Sequence, residues 1–259
     1  MDMLDALYCR KKVEKYSQDA LSSITLGLIR GYFSKVAKNC NGLKLDMEIV
    51  ENLQEKIFRN GLFSKSAPYY MVIYAEKAVR DHIYVGFVMQ KMALFLCTLG
   101  LGSCYLPECK VPEKLREKNS MKAYVIMEFG RSQGSYMHRK REANRMSVVQ
   151  LGIYQETPRE WINRLLDAAR FAPSYKNEQP WRFLIKKSEF HIYTKFRKAE
   201  NMKKSHEIDF GALLANIYTA AEELWLQLEF LKQDNVSCKN FFEDQYFVSV
   251  ILKNKEEIY

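Results

Sequence analysis

The sequence predicts an α+β protein made of two pseudo-repeated α/β halves, each a mixed sheet flanked by helices. Three observations lead there. Two stretches of the chain run through the same order of helix, strand, helix and strand. Between them, around Glu142–Pro158, the apolar pattern loosens, and Arg145 to Pro158 reads as a crossing segment. The 259 residues, 47% hydrophobic and 13% aromatic, suffice for a substantial core in one large domain or two small ones. The expected halves are residues 1–150 and 151–259. Neither can cover both faces of its own sheet, so the two are expected to pack face to face in one body.

The elements follow in chain order. Ser66-Ala67-Pro68 opens an apolar strand that runs to Tyr74, and Gly86-Phe87 begins a long apolar helix reaching Thr98-Leu99. The β-rich run Ala123–Gly130 closes the first half. In the second half Trp161, Leu165, Leu166 and Ala169 recur at helical spacing across Trp161–Arg170. Ala172–Trp181 is then a helix-to-strand loop with a proline near each end, and Trp181–Ile185 is extended. Asp209-Phe210-Gly211 opens a helix Ala212–Phe230, and Tyr246–Leu252 is the last β-rich run. Both long helices are apolar on more than one side, which suits elements at a central interface.

Composition narrows the function. The apolar stretch Gly86–Leu106 is interrupted by Gln90 and Lys91, leaving too few clean residues to span a bilayer. Asp2 and Asp5 precede the first bases and no apolar region follows them, so no signal peptide is read there. The six cysteines (Cys9, Cys40, Cys97, Cys104, Cys109, Cys238) form no Cys-x-x-Cys pair and show no zinc spacing. With four scattered histidines, no metal site is expected, and the thiols read as reduced in a cytoplasmic protein. A net charge of +9 admits nucleic acid, yet the bases are spread along the chain and Lys195–Lys204 is relieved by aromatics and acids. An anionic ligand or cosubstrate explains clustered charge more economically. No nucleic-acid or membrane partner is expected.

The loop Ala172-Pro173-Ser174-Tyr175-Lys176-Asn177-Glu178-Gln179-Pro180-Trp181 is the most informative stretch. Pro173 limits its own φ and pushes Ala172 out of helical geometry. Ser174 and Asn177 can bond to backbone or leave donors and acceptors facing a ligand. As a whole string it resembles the A-P-S-x-x-N-x-Q-P-W signature of the FMN-dependent nitroreductase superfamily, where this loop lies against the flavin. The order of the two halves resembles the tandem branch, in which one polypeptide carries both halves of the usual homodimer. The resemblance thus implies a nitroreductase-like fold arranged as an intramolecular pseudo-dimer, with further dimerisation left open.

Tyr8-Cys9-Arg10-Lys11-Lys12-Val13-Glu14-Lys15-Tyr16 is similar to the family's R-R-S-x-R-x-F segment, which grips the FMN phosphate. A phosphate dianion wants Arg in bidentate geometry and at least one further cation. Arg10, Lys11 and Tyr16 keep the family's places, whereas Lys12 stands where Ser is common and Glu14 where a base is frequent. His138-Arg139-Lys140-Arg141 falls where family members place late basic contacts, so Arg139 and Arg141 join the set. Leu99-Gly100-Leu101-Gly102-Ser103-Cys104-Tyr105-Leu106-Pro107 resembles the family's glycine-rich loop after the central helix. Two glycines let backbone approach a planar ring closely. This implies flavin contacts from Ser103, Cys104, Tyr105 and Leu106, the Cys104 thiol itself reading as packing. Pro173, Ser174, Tyr175 and Asn177 complete the implied contacts.

The second half lacks the basic segment, and Glu222-Glu223-Leu224-Trp225-Leu226 replaces the glycine turn. The first half lacks the Pro-Ser-x-x-Asn loop, having Leu62-Phe63-Ser64-Lys65-Ser66 instead. One flavin site per chain is therefore expected. The implied function is an oxidoreductase using FMN, with NADH or NADPH as hydride donor and an electron-poor small molecule as acceptor. No side chain stands out as a general acid. The alternative is a flavin-binding module, for storage, sensing or other flavin chemistry, without reductase turnover.

Overall fold

Among the described residues strand pairing forms two five-stranded sheets, and each belongs to its own compact unit. The computed structural model describes residues 1–40, 43–54, 67–78, 80–106, 111–139, 142–196, 203–234, 236 and 239–253. The units are Met1–Ala143 and Asn144–Tyr259. The architecture is α+β, two sheets flanked by helices.

Unit 1 begins with α1 (Met3–Cys9) and α2 (Ser23–Lys38). β1 (Leu45–Glu51), β2 (Tyr69–Ala75), α3 (Asp81–Thr98), β3 (Gly102–Tyr105), β4 (Glu117–Lys118) and β5 (Met121–Gly130) follow. The sheet order is β1-β2-β5-β3, with β4 pairing β5. Those pairings are antiparallel. β2 is buried along its whole length, as its unbroken apolar run requires. α3 begins at Asp81, five residues before the expected Gly86, because Asp81-His82-Ile83-Tyr84-Val85 continues the helical turn. It is buried on nearly every side.

Unit 2 runs α4 (Val148–Leu151), β6 (Gly152–Tyr154), α5 (Glu160–Arg170), β7 (Trp181–Ile185), β8 (Glu189–Thr194), α6 (Lys204–Glu223), β9 (Leu228–Leu231) and β10 (Tyr246–Leu252). The order is β6-β7-β8-β10-β9, with β6 and β7 parallel. The expected crossing segment therefore holds structure. Ser147 and Gln150 form a reciprocal capping box on α4, and β6 then joins the sheet. On α5 the core face uses Ile162 with Leu165, Leu166, Ala168 and Ala169, whereas Trp161 is half-buried.

The second long helix departs most from expectation. It starts at Lys204 and not Ala212, and it stops at Glu223, so Leu228–Leu231 is a strand. The alternation Leu226, Leu228, Phe230 against Gln227, Glu229 carried that strand signal. The stop itself lacks the usual glycine. Trp225 takes φ 55°, and Leu226 N–H donates to Ala221 O at 2.9 Å while Trp225 N–H donates to Glu222 O at 3.2 Å. α3 ends the same way with Gly100 at φ 76°, Leu101 N–H donating to Leu96 O at 2.9 Å and Gly100 N–H to Cys97 O at 3.0 Å. No helix among the described residues is long and apolar enough to cross a membrane.

Gly102 admits the N-terminal segment to β3. A Cβ there would lie 2.6 Å from a Val13 methyl and 2.8 Å from Val13 Cβ. We expect Gly102→Ala to destabilise unit 1 by about 1–3 kcal/mol through overpacking. Urea unfolding should show a lower midpoint at unchanged slope. An unchanged midpoint would mean that Val13 does not pack on β3.

Candidate functional site

In unit 1 the segment from Cys9 to Ser17 is held by backbone bonds along both edges. On one side it runs antiparallel to residues 131–138, through bridges Arg10 to Met137 and Tyr16 to Ser132. His138 N–H donates to Cys9 O at 2.7 Å, Gln133 N–H to Lys15 O at 3.0 Å and Ser17 N–H to Arg131 O at 2.8 Å. On the other side Lys12 bridges Ser103 in parallel, and Val13 N–H donates to Ser103 O at 3.2 Å. Val13 and Tyr16 turn into the core, while Lys12 and Glu14 turn to solvent. The Tyr16 hydroxyl donates to Val13 O at 2.6 Å, and burial pushes its pKa well up.

Three pieces singled out in the sequence therefore meet in one unit. Arg10 reaches β3, its Nη2 lying 3.4 Å from both Ser103 O and Ser103 Oγ, long for a hydrogen bond. Its guanidinium carbon is 5.4 Å from the Tyr105 ring centre. Its Nε is buried with no hydrogen-bond partner. Tyr105 is fixed from behind, its hydroxyl donating to Gln90 Oε1 of α3 at 2.7 Å. Lys12 and Glu14 form an ion pair at 2.5 Å, both side chains well exposed, and the bond to Glu14 raises the Lys12 pKa. Arg139 stands two residues beyond the Arg10–Met137 bridge, its N–H donating to a Glu142 carboxylate oxygen at 2.9 Å. Arg141 lies outside the described residues, as do Pro107, Cys109 and Cys238.

The expected glycine-rich loop is a turn followed by a strand. Gly100 closes α3, and Gly102–Tyr105 is β3, in register with β5 from Gly102 opposite Gly130 to Tyr105 opposite Met127. Leu106 N–H extends the pairing to Ile126 O at 2.9 Å. Cys104 is buried, and burial pushes its thiol up to about 11.

In unit 2, α5 ends where Pro173 requires it. The loop then makes a short 3₁₀ turn, Tyr175–Asn177. Lys176 at φ 50°, Asn177 at 56° and Gln179 at 46° are left-handed, a conformation that costs non-glycine residues on the order of 1 kcal/mol or more each. The side chains are turned to holding it. Ser174 Oγ accepts from Gln179 N–H at 2.9 Å. Arg145 Nη1 donates to Asn177 Oδ1 at 2.8 Å, and Asn177 Nδ2 donates to Asn144 O at 3.2 Å. Gln179 Oε1 accepts from Met146 N–H at 2.8 Å. Of the two uses open to Ser174 and Asn177, the structure shows the backbone-holding one.

Two contributors were missed in the sequence. Asn144-Arg145-Met146 passed as part of a loosened connector, though Asn and Arg beside a loop rich in polar side chains carried a weak signal. Asp209 passed as a helix opener. It sits inside α6, only 6% exposed, and the Tyr175 N–H lies 3.0 and 3.1 Å from its two carboxylate oxygens. Burial pushes its pKa up to about 7, opposed by the Tyr175 hydrogen bond and aided by the Glu178 charge. An acid flanked by Phe210, Gly211, Ala212 and Leu213 was the available clue. Unit 2 also has an open cleft of about 670 Å³ along Arg159, Lys186–Glu189 and Lys253, which no motif residue lines.

Comparison with known proteins gives the class. The profile of the family described as "Putative TM nitroreductase" matches residues 2–221. The chain belongs to that family, and so to the oxidoreductases of the nitroreductase kind. Its fold is similar to the crystal structure of a "putative nitroreductase" from Thermotoga maritima, at 19% identity and TM-score 0.63. That likeness covers 97% of this chain and 93% of the other. A nitroreductase family protein from Clostridium novyi matches at 16% identity and TM-score 0.43, over 51% of this chain and 86% of its own. An FMN-dependent nitroreductase from Clostridium difficile matches at 18% identity and TM-score 0.41, over 51% of this chain and 88% of its own. No curated protein matches the chain.

Asp209 makes stability depend on pH. Its folded pKa of about 7 lies above the ordinary 3.8, so between those values the native state keeps a proton that the unfolded chain has released. Stability should fall as pH rises from about 4 to about 7, by a few kcal/mol and about 4 at most. Asp209→Asn should flatten that slope in denaturant unfolding across the range. An unaltered slope would show that Asp209 titrates in its ordinary range.

Proposed function

We propose that this oxidoreductase binds FMN and passes two electrons from NADH or NADPH to an electron-poor small molecule. One observation carries the reading. A basic segment is clamped against β3 with a buried Arg10 Nε left without a hydrogen-bond partner, and a phosphate oxygen would satisfy it. When bound, FMN would supply the redox chemistry; the protein supplies grip, a stacking face and electrostatics.

Each residue has a part in that grip. Arg10 offers planar donors suited to a phosphate, and Lys11 adds a second cation. Lys12 contributes less, because Glu14 holds its charge. Arg139, with Arg141, would add late basic contacts. Ser103, Cys104, Tyr105 and Leu106 would line the ring from β3, with the Cys104 thiol neutral at a pKa near 11. In unit 2 Pro173, Ser174, Tyr175 and Asn177 would supply flavin contacts of their own, on a loop stiffened by the Asn144–Met146 bonds. No side chain of this set is given a proton to transfer.

The Lys12–Glu14 pair favours a second reading, a flavin-binding module without turnover. Purified protein should be yellow, and anaerobic NADH or NADPH should bleach the flavin band. Colour without bleaching by either nucleotide would select the second reading, and a colourless protein that takes up no FMN would sink both. Arg10→Ala should weaken FMN binding, since loss of a charged donor costs about 1.5–3 kcal/mol. That is roughly ten- to a hundredfold in Kd by titration of the apo-protein. An unchanged Kd would remove the N-terminal segment from the site.

A further inference from the structure

Asp209 is a poor choice for stability alone. It places an acid in the apolar middle of unit 2, where α6 packs on α5 and on the loop turn. What the fold gains is a grip on Tyr175 N–H, with both carboxylate oxygens within 3.1 Å. That N–H belongs to the residue just ahead of the left-handed pair Lys176 and Asn177. Such conformations persist only where the surroundings over-determine them. At the surface Asn177 is held by Arg145 and Asn144, and the buried Gln179 side chain accepts from Met146 N–H. At Tyr175 the loop is held by Asp209.

We infer that Asp209 is a positioning residue, whose ionised carboxylate holds Tyr175 and thereby sets the Ser174–Gln179 loop in the conformation that meets the flavin. This rests on the reading of that loop as a flavin contact. An ionised acceptor holds an N–H more strongly than a neutral one, so the grip should tighten as Asp209 loses its proton. Glu178, on the loop, opposes the ionisation and is itself paired with Lys195 at 3.3 Å and near His206 Nε2 at 3.8 Å. Lys176 sits over the Tyr175 ring, and Glu207 shares α6. On α5, Asp167 and Arg170 pair with each other at 2.8 Å.

The test follows the Tyr175 amide directly, in the full chain labelled with ¹⁵N-tyrosine and assigned through Tyr175→Phe. From about pH 5 to about pH 9 the wild-type resonance should titrate with a midpoint near 7. In Asp209→Asn, whose amide oxygen still accepts the bond, that titration should vanish, while His206 is present in both proteins. FMN titrations of the same two proteins should agree at the acid end. At the alkaline end the variant should bind about fivefold more weakly, the gap between a charged and a neutral acceptor. The FMN phosphate's own titration is common to both and cancels in the ratio. A Tyr175 amide that stays still, or titrates equally in the variant, would overturn the grip. A titrating amide with an affinity ratio flat across pH would overturn the positioning role. A titrating amide in proteins that bind no FMN would uphold the grip and sink the flavin reading alone.

Discussion

Backbone pairing of the N-terminal segment with two distant stretches is the constraint on which unit 1's chemistry depends. Nothing in Arg10-Lys11-Lys12 would hold three cations together in free solution, where they repel one another. Bridges to Ser103, Ser132 and Met137 replace that freedom with a fixed ribbon. The side chains then alternate between core and surface. Val13 and Tyr16 anchor inward, and Lys12 and Glu14 face out. The close approach requires a residue without a side chain at Gly102. Arg10 is thereby set beside Tyr105 with one polar atom out of reach of water and protein partners alike. A buried, unpartnered donor of a guanidinium is costly unless a ligand completes it.

Unit 2 solves the opposite problem. Its loop carries little charge for a ligand and much internal strain. Left-handed Lys176, Asn177 and Gln179 are retained by bonds from Asn144, Arg145 and Met146 on one side and from Asp209 on the other. The loop is thus a prepared surface, whose polar side chains are already engaged. Such a surface suits stacking against a flat ring better than reading a polar ligand by hydrogen bonds.

Much of this was legible in the sequence because it depended on local rules. Trp181–Ile185 and Tyr246–Leu252 are strands at the residues their apolar runs marked. Pro173 ends α5, and Gly100 ends α3. Other features depended on tertiary context. The stop of α6 uses Trp225 in a conformation normally left to glycine, so the helix was expected to run on to Phe230. β1 and β8 carry mixed patterns that only a paired neighbour makes into a strand. Asp209 was visible but not its partner, since a hydrogen bond across 34 residues leaves no mark on spacing. In the candidate site, the motifs named the residues. The bridges that bring Arg10, Ser103 and Met137 together came only with the fold.

The two sets of residues proposed to contact flavin differ in one telling respect from a simple duplication. The basic segment with its glycine turn occurs once, and the Pro-Ser-x-x-Asn loop occurs once. Quantitative release of FMN from saturated, gel-filtered protein, with the chain counted independently, tests the single-site reading most directly. One FMN per chain is expected. Two per chain, or none retained at saturating FMN, would contradict it.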